Sequence, residues 1–399
     1  MALLLLLWAI MIFRNDDACR SKDPAQSIQA CSIVLQTPVL LDGRRALTLG
    51  RRGQAYTAKG EYGPAIEDLG QLLMLRPDDA LAWYHRSVAY RLAGKADLAI
   101  LDATQAIEIN PGLVDALMHR ASIYVDKGQF NEAIADYLKV LALRPRDAAV
   151  YQARAVLQER AGFPDLAIAD YTAALQLKPD AIEAVVARAK LRVKRGEDDL
   201  AIADYSRAIV LNPKQAEFYH ARGTLYFGRG ALDRAIADFG KESELTPDNA
   251  QAHDNLGAAF AQKGFYLQAV ANFTKAIEKK PNDANLLFSR GLTYHENGKV
   301  DLAIADYSHS IELNQDNPAV YGRRSWAYHQ KADDAKALND ANKAVSMAPK
   351  DAQFAEIRGM IHETMGHPHE AIADYCSALI LDPRRVRALQ GLKRLAAGP

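Results

Sequence analysis

The stretch that decides the fold runs from Val114 to Asp147 and reads VDALMHRASIYVDKGQFNEAIADYLKVLALRPRD. Two runs with apolar residues at helical spacing flank Gly128, and Pro145 closes the second run. Counting 34 residues at a time from Pro145 in either direction lands on Pro77, Pro111, Pro179, Pro213, Pro247 and Pro281, then on Gln315, Pro349 and Pro383. The unit thus repeats ten times without insertion or deletion: 46–79, 80–113, 114–147, 148–181, 182–215, 216–249, 250–283, 284–317, 318–351 and 352–385. A fixed period of this length predicts an all-α solenoid of helix-turn-helix units, in which each unit buries its apolar face only against its neighbours.

Comparison of the copies gives the physics of the unit. Unit position 20 is alanine every time, from Ala65 to Ala371, and position 8 is always Gly, Ser or Ala, as in Gly53, Ser87 and Ala121. Small residues there let two helices approach to about 8–10 Å between axes. Aromatic residues fill the space around them, such as Tyr124 at position 11 and Tyr137 at position 24. Glycine at position 15, with Ala332 as the exception, supplies a left-handed residue to end the first helix. Proline at position 32 ends the second, because it has no N–H to donate to a helix interior.

Small residue, Tyr, Gly, Ala, Tyr and Pro at these offsets resemble the tetratricopeptide repeat family over residues 46–385. The resemblance implies a right-handed superhelix of helix pairs. First helices line a concave groove, second helices form the convex side, and peptides or other proteins bind in the groove. It also implies that the repeats carry no catalysis.

Composition agrees. Of 399 residues, 49% are hydrophobic, and 49 Lys and Arg balance 49 Asp and Glu. No uniform positive field draws in nucleic acid, and no Gly-rich phosphate loop, HExxH or CxxC occurs. The flanks of the repeats are too short for a catalytic domain. The expectation is a non-catalytic scaffold that docks a protein or peptide, with no cofactor and no metal. A structural or self-associating solenoid is the alternative, and the oligomeric state stays open.

Residues 1–14 contain the apolar run ALLLLLWAIMIF, from Ala2 to Phe13. A spanning helix needs roughly 20 residues, so this run reads as the hydrophobic core of an export signal. It lacks a basic lead and a clear small-x-small cleavage site. The expected location is the periplasm; inner-membrane anchoring or a cytoplasmic chain are the alternatives. In the capping segment 15–45, Asp23 and Pro24 start a helix as N-cap and first residue. Cys19 and Cys31 either form a disulfide, given an oxidising compartment, or stay as buried thiols. The segment resembles the Cys-containing lead-in of exported bacterial tetratricopeptide proteins. Residues 386–399 hold a last amphipathic helix, whose Leu389, Leu392 and Leu395 are expected to cover the last unit.

A charge pair is written into the period. Position 7 is arginine in Arg52, Arg86, Arg120, Arg154, Arg188, Arg222, Arg290, Arg324 and Arg358. Position 23 is aspartate in Asp68, Asp102, Asp136, Asp170, Asp204, Asp238, Asp306, Asp340 and Asp374. The exceptions, Leu256 and Asn272, fall in the same unit. Joint loss predicts structural ion pairs within a unit, first helix to second.

In the family geometry, positions 2, 5, 9, 12 and 13 face the groove, with position 6 at its edge. That face carries Tyr84, His85, Arg91, Met118, His119, Lys190, Lys194, His220, Phe227, Asn255, Phe288, His295, Arg323, Trp326 and His329. Aromatic, Met and Arg side chains are those that binding hot spots favour; half-exposed solenoid surface is the plainer reading of several. Position 9 has no asparagine, so the family's carboxylate clamp is not expected. His85 and His119 sit at equivalent positions, but no carboxylate or cysteine completes a metal set. Unit six departs from the pattern. Glu242 and Ser243 replace an apolar pair behind Gly240, which predicts a broken second helix with Glu242 paired, solvated or in a loosened turn.

Overall fold

The computed structural model describes residues 15–37 and 40–397. The signal-like segment 1–14 and the last two residues of the C-terminal cap lie outside them. Among the described residues every regular element is a helix. After α1 (Pro24–Leu35) come α2 (Asp42–Lys59), α3 (Tyr62–Leu75), α4 (Ala80–Leu92), α5 (Ala96–Ile109), α6 (Val114–Asp126), α7 (Phe130–Leu143), α8 (Ala148–Arg160), α9 (Pro164–Leu177) and α10 (Ile182–Lys194). Then follow α11 (Asp198–Leu211), α12 (Ala216–Gly228), α13 (Leu232–Leu245), α14 (Ala250–Gln262), α15 (Tyr266–Lys279) and α16 (Ala284–Glu296). The last are α17 (Val300–Leu313), α18 (Pro318–Gln330), α19 (Asp334–Met347), α20 (Ala352–Thr364), α21 (Pro368–Leu381) and α22 (Val386–Ala397). From α2 to α21 the even-numbered helices are the first helices of the ten repeats and the odd-numbered ones the second.

Contacts divide the chain into two units, 1–196 and 197–399, with the boundary at Gly196 inside the fifth repeat. Within each unit packing is sequential: α1 to α10 each lie on the next helix in the first unit, and α11 to α22 do so in the second. Neighbouring first helices also touch, α2 with α4 and α4 with α6 in the first unit. In the second unit the same holds for α14 with α16, α16 with α18, α18 with α20 and α20 with α22. The first-helix side is therefore the tighter, inner side of each stack.

The caps are local chemistry. Gly128 has φ +72°, and the N–H of Gln129 donates to the Tyr124 carbonyl at 2.8 Å, closing α6 in a left-handed turn. Ala332 adopts the same conformation at φ +59° without being glycine. Several first helices open on an Asx cap: Asp147, for one, accepts from the N–H groups of Ala149 and Val150. The alanines at position 20 are wholly buried, and position 8 is small because a side chain has no room. A Cβ on Gly291 would stand 2.7 Å from the Tyr307 ring.

Two expectations need correction. The second helix of unit six is unbroken, since α13 runs from Leu232 through Glu242 to Leu245. The buried carboxylate is matched by a histidine on α12, so the helix has no need to open. At the C-terminus, Leu392 and Leu395 pack on the Tyr375 cluster, but Leu389 is exposed and Ala388 takes the inward position. Counted in the 34-residue phase, Ala388 stands where Phe354 stands in unit ten, so α22 is placed as the first helix of a further repeat.

Candidate functional site

The arginine–aspartate pairs brace the helices that carry the inner face. Arg120 Nε and Nη2 donate to the two carboxylate oxygens of Asp136 at 2.8 and 2.6 Å. The same fork joins Arg52 to Asp68, Arg86 to Asp102, Arg154 to Asp170, Arg222 to Asp238, Arg290 to Asp306, Arg324 to Asp340 and Arg358 to Asp374. Arg188 belongs to the first unit and Asp204 to the second. The brace also crosses between repeats, which the pairing argument did not contain. Arg120 Nη1 donates to Thr104 Oγ1 of the preceding second helix at 2.8 Å, as Arg188 does to Thr172, Arg222 to Ser206, Arg290 to Thr274 and Arg324 to Ser308. In unit seven, where Leu256 and Asn272 stand, the preceding repeat offers Gly240 at that place, so all three parts of the brace are missing together. A bidentate guanidinium with its third edge also bonded holds geometry better than a point charge would.

On the inner face of the first unit, the Tyr84 ring meets His119 edge-on at 5.7 Å and lies 5.2 Å from His85. Arg91 is not free for a ligand: it donates to Ser122 Oγ at 2.8 Å and pairs with Asp126 at 2.7 Å. Burial, and then the nearby Arg91 charge, depress the His119 imidazole to about 4, so it is neutral at physiological pH. Burial also lowers His85, against the opposing pull of Asp79. Met118 packs on the core, while Lys190 and Lys194 are exposed, Lys194 lying 3.8 Å from Glu159.

In the second unit, His220 Nδ1 lies 3.1 Å from the buried carboxylate of Glu242 and 3.2 Å from Asn255 Nδ2. The hydrogen bond to Glu242 raises the His220 imidazole above its ordinary value, against the cost of burial. Phe227 leans on Phe239 at 6.3 Å, and Phe288 and His295 both flank Tyr307, at 5.9 and 6.4 Å. His295 Nε2 is 2.9 Å from Gln330 Oε1, and His329 Nδ1 is 2.8 Å from Asp334. Trp326 stacks near His329 at 5.5 Å. It also walls a cavity of about 520 Å³ between α18, α20 and the start of α22, with Arg323 on the same wall. The far wall is Arg384, Arg385 and Arg387, which the groove positions alone did not point to. Their signal was the phase: Arg387 holds position 2 of the further repeat that α22 begins. Among the described residues no group of His, Cys, Asp and Glu is arranged to hold a metal.

Family models described as TPR repeat match residues 121–162, 189–230, 223–264 and 260–298. Models described as tetratricopeptide repeat match 51–113, 284–317 and 318–351, so the matches together span more than half of the chain. The chain belongs to the tetratricopeptide repeat family. It is accordingly a protein-interaction scaffold whose partner is another protein; such repeats are generally non-catalytic. A search of curated proteins finds no match. Among solved structures, Naa15/Naa10 bound to HypK-THB is 15% identical over 97% of this chain and 65% of that one, with a TM-score of 0.50. YrrB, described as a TPR protein with an unusual peptide-binding site, is 21% identical over 47% of this chain and 97% of its own, with a TM-score of 0.41. A MamA structure is 29% identical over 40% of this chain and 94% of its own, with a TM-score of 0.37.

Proposed function

We propose that the chain docks a segment of another protein on its inner, first-helix face. The observation that carries this reading is a set of aromatic side chains left half-exposed on that face of the second unit while their rings are already held by neighbours: Phe227, Phe288 and Trp326. Rings fixed before binding lose little entropy on contact, which is what an anchor position needs. Partner capture by chemical crosslinking, compared between the native chain and the Phe288→Ala/Trp326→Ala variant, tests it. Capture falls in the variant with the helical content kept; unchanged capture refutes the assignment of this face.

The cell envelope is the proposed compartment. Two features support it. The Cys19 and Cys31 sulphurs are bonded, with Cα atoms 4.8 Å apart, and cytosolic thiols are kept reduced. The apolar run from Ala2 to Phe13 has the length of an export signal's core. No helix of the described residues is long and apolar enough to cross a membrane. Mapping the N-terminus of the chain made in cells checks the proposal: a terminus between Phe13 and Cys19 with Cys376 as the one alkylatable cysteine is expected, and a chain with Met1 and all three cysteines alkylatable defeats it.

A further inference from the structure

The cavity beside Trp326 holds more positive charge than its own carboxylates neutralise. Of the acids on its walls, Glu356 forms an ion pair through Oε2 with Arg385 Nη2 at 3.0 Å and accepts through Oε1 from the Ala388 N–H at 3.1 Å, which engages both of its oxygens. Asp382 accepts from the backbone N–H and the Nε of Arg384, at 3.1 and 3.2 Å. Arg323 makes no ion pair or hydrogen bond among the described residues. Arg387 has no carboxylate either; its guanidinium rests over the Trp326 ring, 5.5 Å from the centroid. Four arginines against two engaged carboxylates leave two positive charges uncompensated in one cavity. The Glu356 carboxylate already shows what this place binds, since a chain carboxylate sits on the first turn of α22 beside Arg385.

We propose that this cavity takes an internal acidic segment of the partner protein, with two side-chain carboxylates set on Arg323 and Arg387 and an apolar side chain laid against Trp326 between them. The inference deepens the docking reading and rests on it. Two surplus charges call for two anionic groups, whereas a single chain-terminal carboxylate neutralises one. Guanidinium groups pair with carboxylates in a fork, and the ring beneath Arg387 holds that fork in place before the ligand arrives.

The test pans the immobilised full-length chain against a random decapeptide library with amidated C-termini. Bound peptides are expected to be enriched in Asp and Glu pairs separated by one or two residues. An enriched peptide, followed by fluorescence anisotropy, weakens at least about tenfold on the Arg323→Glu variant, and similarly on Arg387→Glu. Its affinity falls as salt rises, and Asp-to-Asn, Glu-to-Gln versions of the peptide lose binding. Circular dichroism confirms that both variants remain helical. Peptides bound without acidic enrichment, or enrichment untouched by both variants, overturn the inference and leave the docking reading standing. Binding gained only with a free C-terminal carboxylate overturns the internal-segment assignment. Failure to bind any peptide defeats both readings.

Discussion

Replacing Arg120 and Asp136 with Leu and Asn copies into unit three the pair that unit seven carries as Leu256 and Asn272. Asp136 is 2% exposed and Arg120 8%, and among the described residues the fork between them is the carboxylate's only tie. Arg120→Leu alone strands a buried carboxylate, at a cost of about 3–5 kcal/mol. Asp136→Asn alone strands the guanidinium, which keeps its bond to Thr104, and costs about 3 kcal/mol. The double variant strands neither group. Thr104 also stays satisfied, because its hydroxyl donates to the Ile100 carbonyl at 2.7 Å. The double variant is therefore expected to lie within about 1 kcal/mol of native, with a favourable coupling of about 5–7 kcal/mol between the two changes. Urea unfolding followed by circular dichroism, fitted with a nearest-neighbour description suited to stacked repeats, measures this. Native-state hydrogen exchange of α6 and α7 localises it. A double variant as unstable as the sum of the singles would falsify the account of the joint loss in unit seven.

Other outcomes follow from single contacts. Gly291→Val drives a side chain into the Tyr307 ring and is expected to lower stability by about 2–3 kcal/mol, read from the same urea titration. Ala332→Gly relieves a left-handed alanine and is expected to add about 1 kcal/mol; a loss of stability would show that the φ of +59° carries no strain. His119 is depressed in the fold to about 4, so its contribution is fully present above the ordinary histidine value of about 6.5 and is lost as pH falls toward 4. Discounted for its partial exposure, that contribution is about 1–2 kcal/mol, and His119→Gln is expected to flatten this part of the pH–stability curve. His220 runs the other way. Its folded value is raised by Glu242, so the pair stabilises most below the ordinary histidine range and loses that contribution as pH rises through the raised value. Glu242→Gln is expected to remove this slope.

Much of the architecture could be read from the chain because a solenoid is built from contacts close in sequence. The period, the glycine turn at Gly128, the proline stop at Pro145 and the small positions at Ala121 and Ala133 each answer a local demand. The charge pairs were legible for the same reason: ten copies allow a joint loss, at Leu256 and Asn272, to be noticed. The inner face was less legible. Position alone put Arg91 among the binding residues, but Asp126 occupies it. Position also said nothing of Glu242 finding His220, which kept α13 whole.

From its residues alone the chain determined the helices, their caps, the stacking order and the partners sixteen residues apart in each brace, because those depend on spacing within one period. The tertiary structure decided the rest: the third edge of Arg120, Arg188, Arg222, Arg290 and Arg324 on the preceding repeat's hydroxyl, the inward turn of Ala388 in place of Leu389, and the gathering of Arg323, Trp326 and Arg387 around one cavity. Those depend on where side chains from different repeats point once the helices are stacked. A difference of one helical position moves a side chain by about 100° around its axis, and no count along the chain settles which neighbour it then meets.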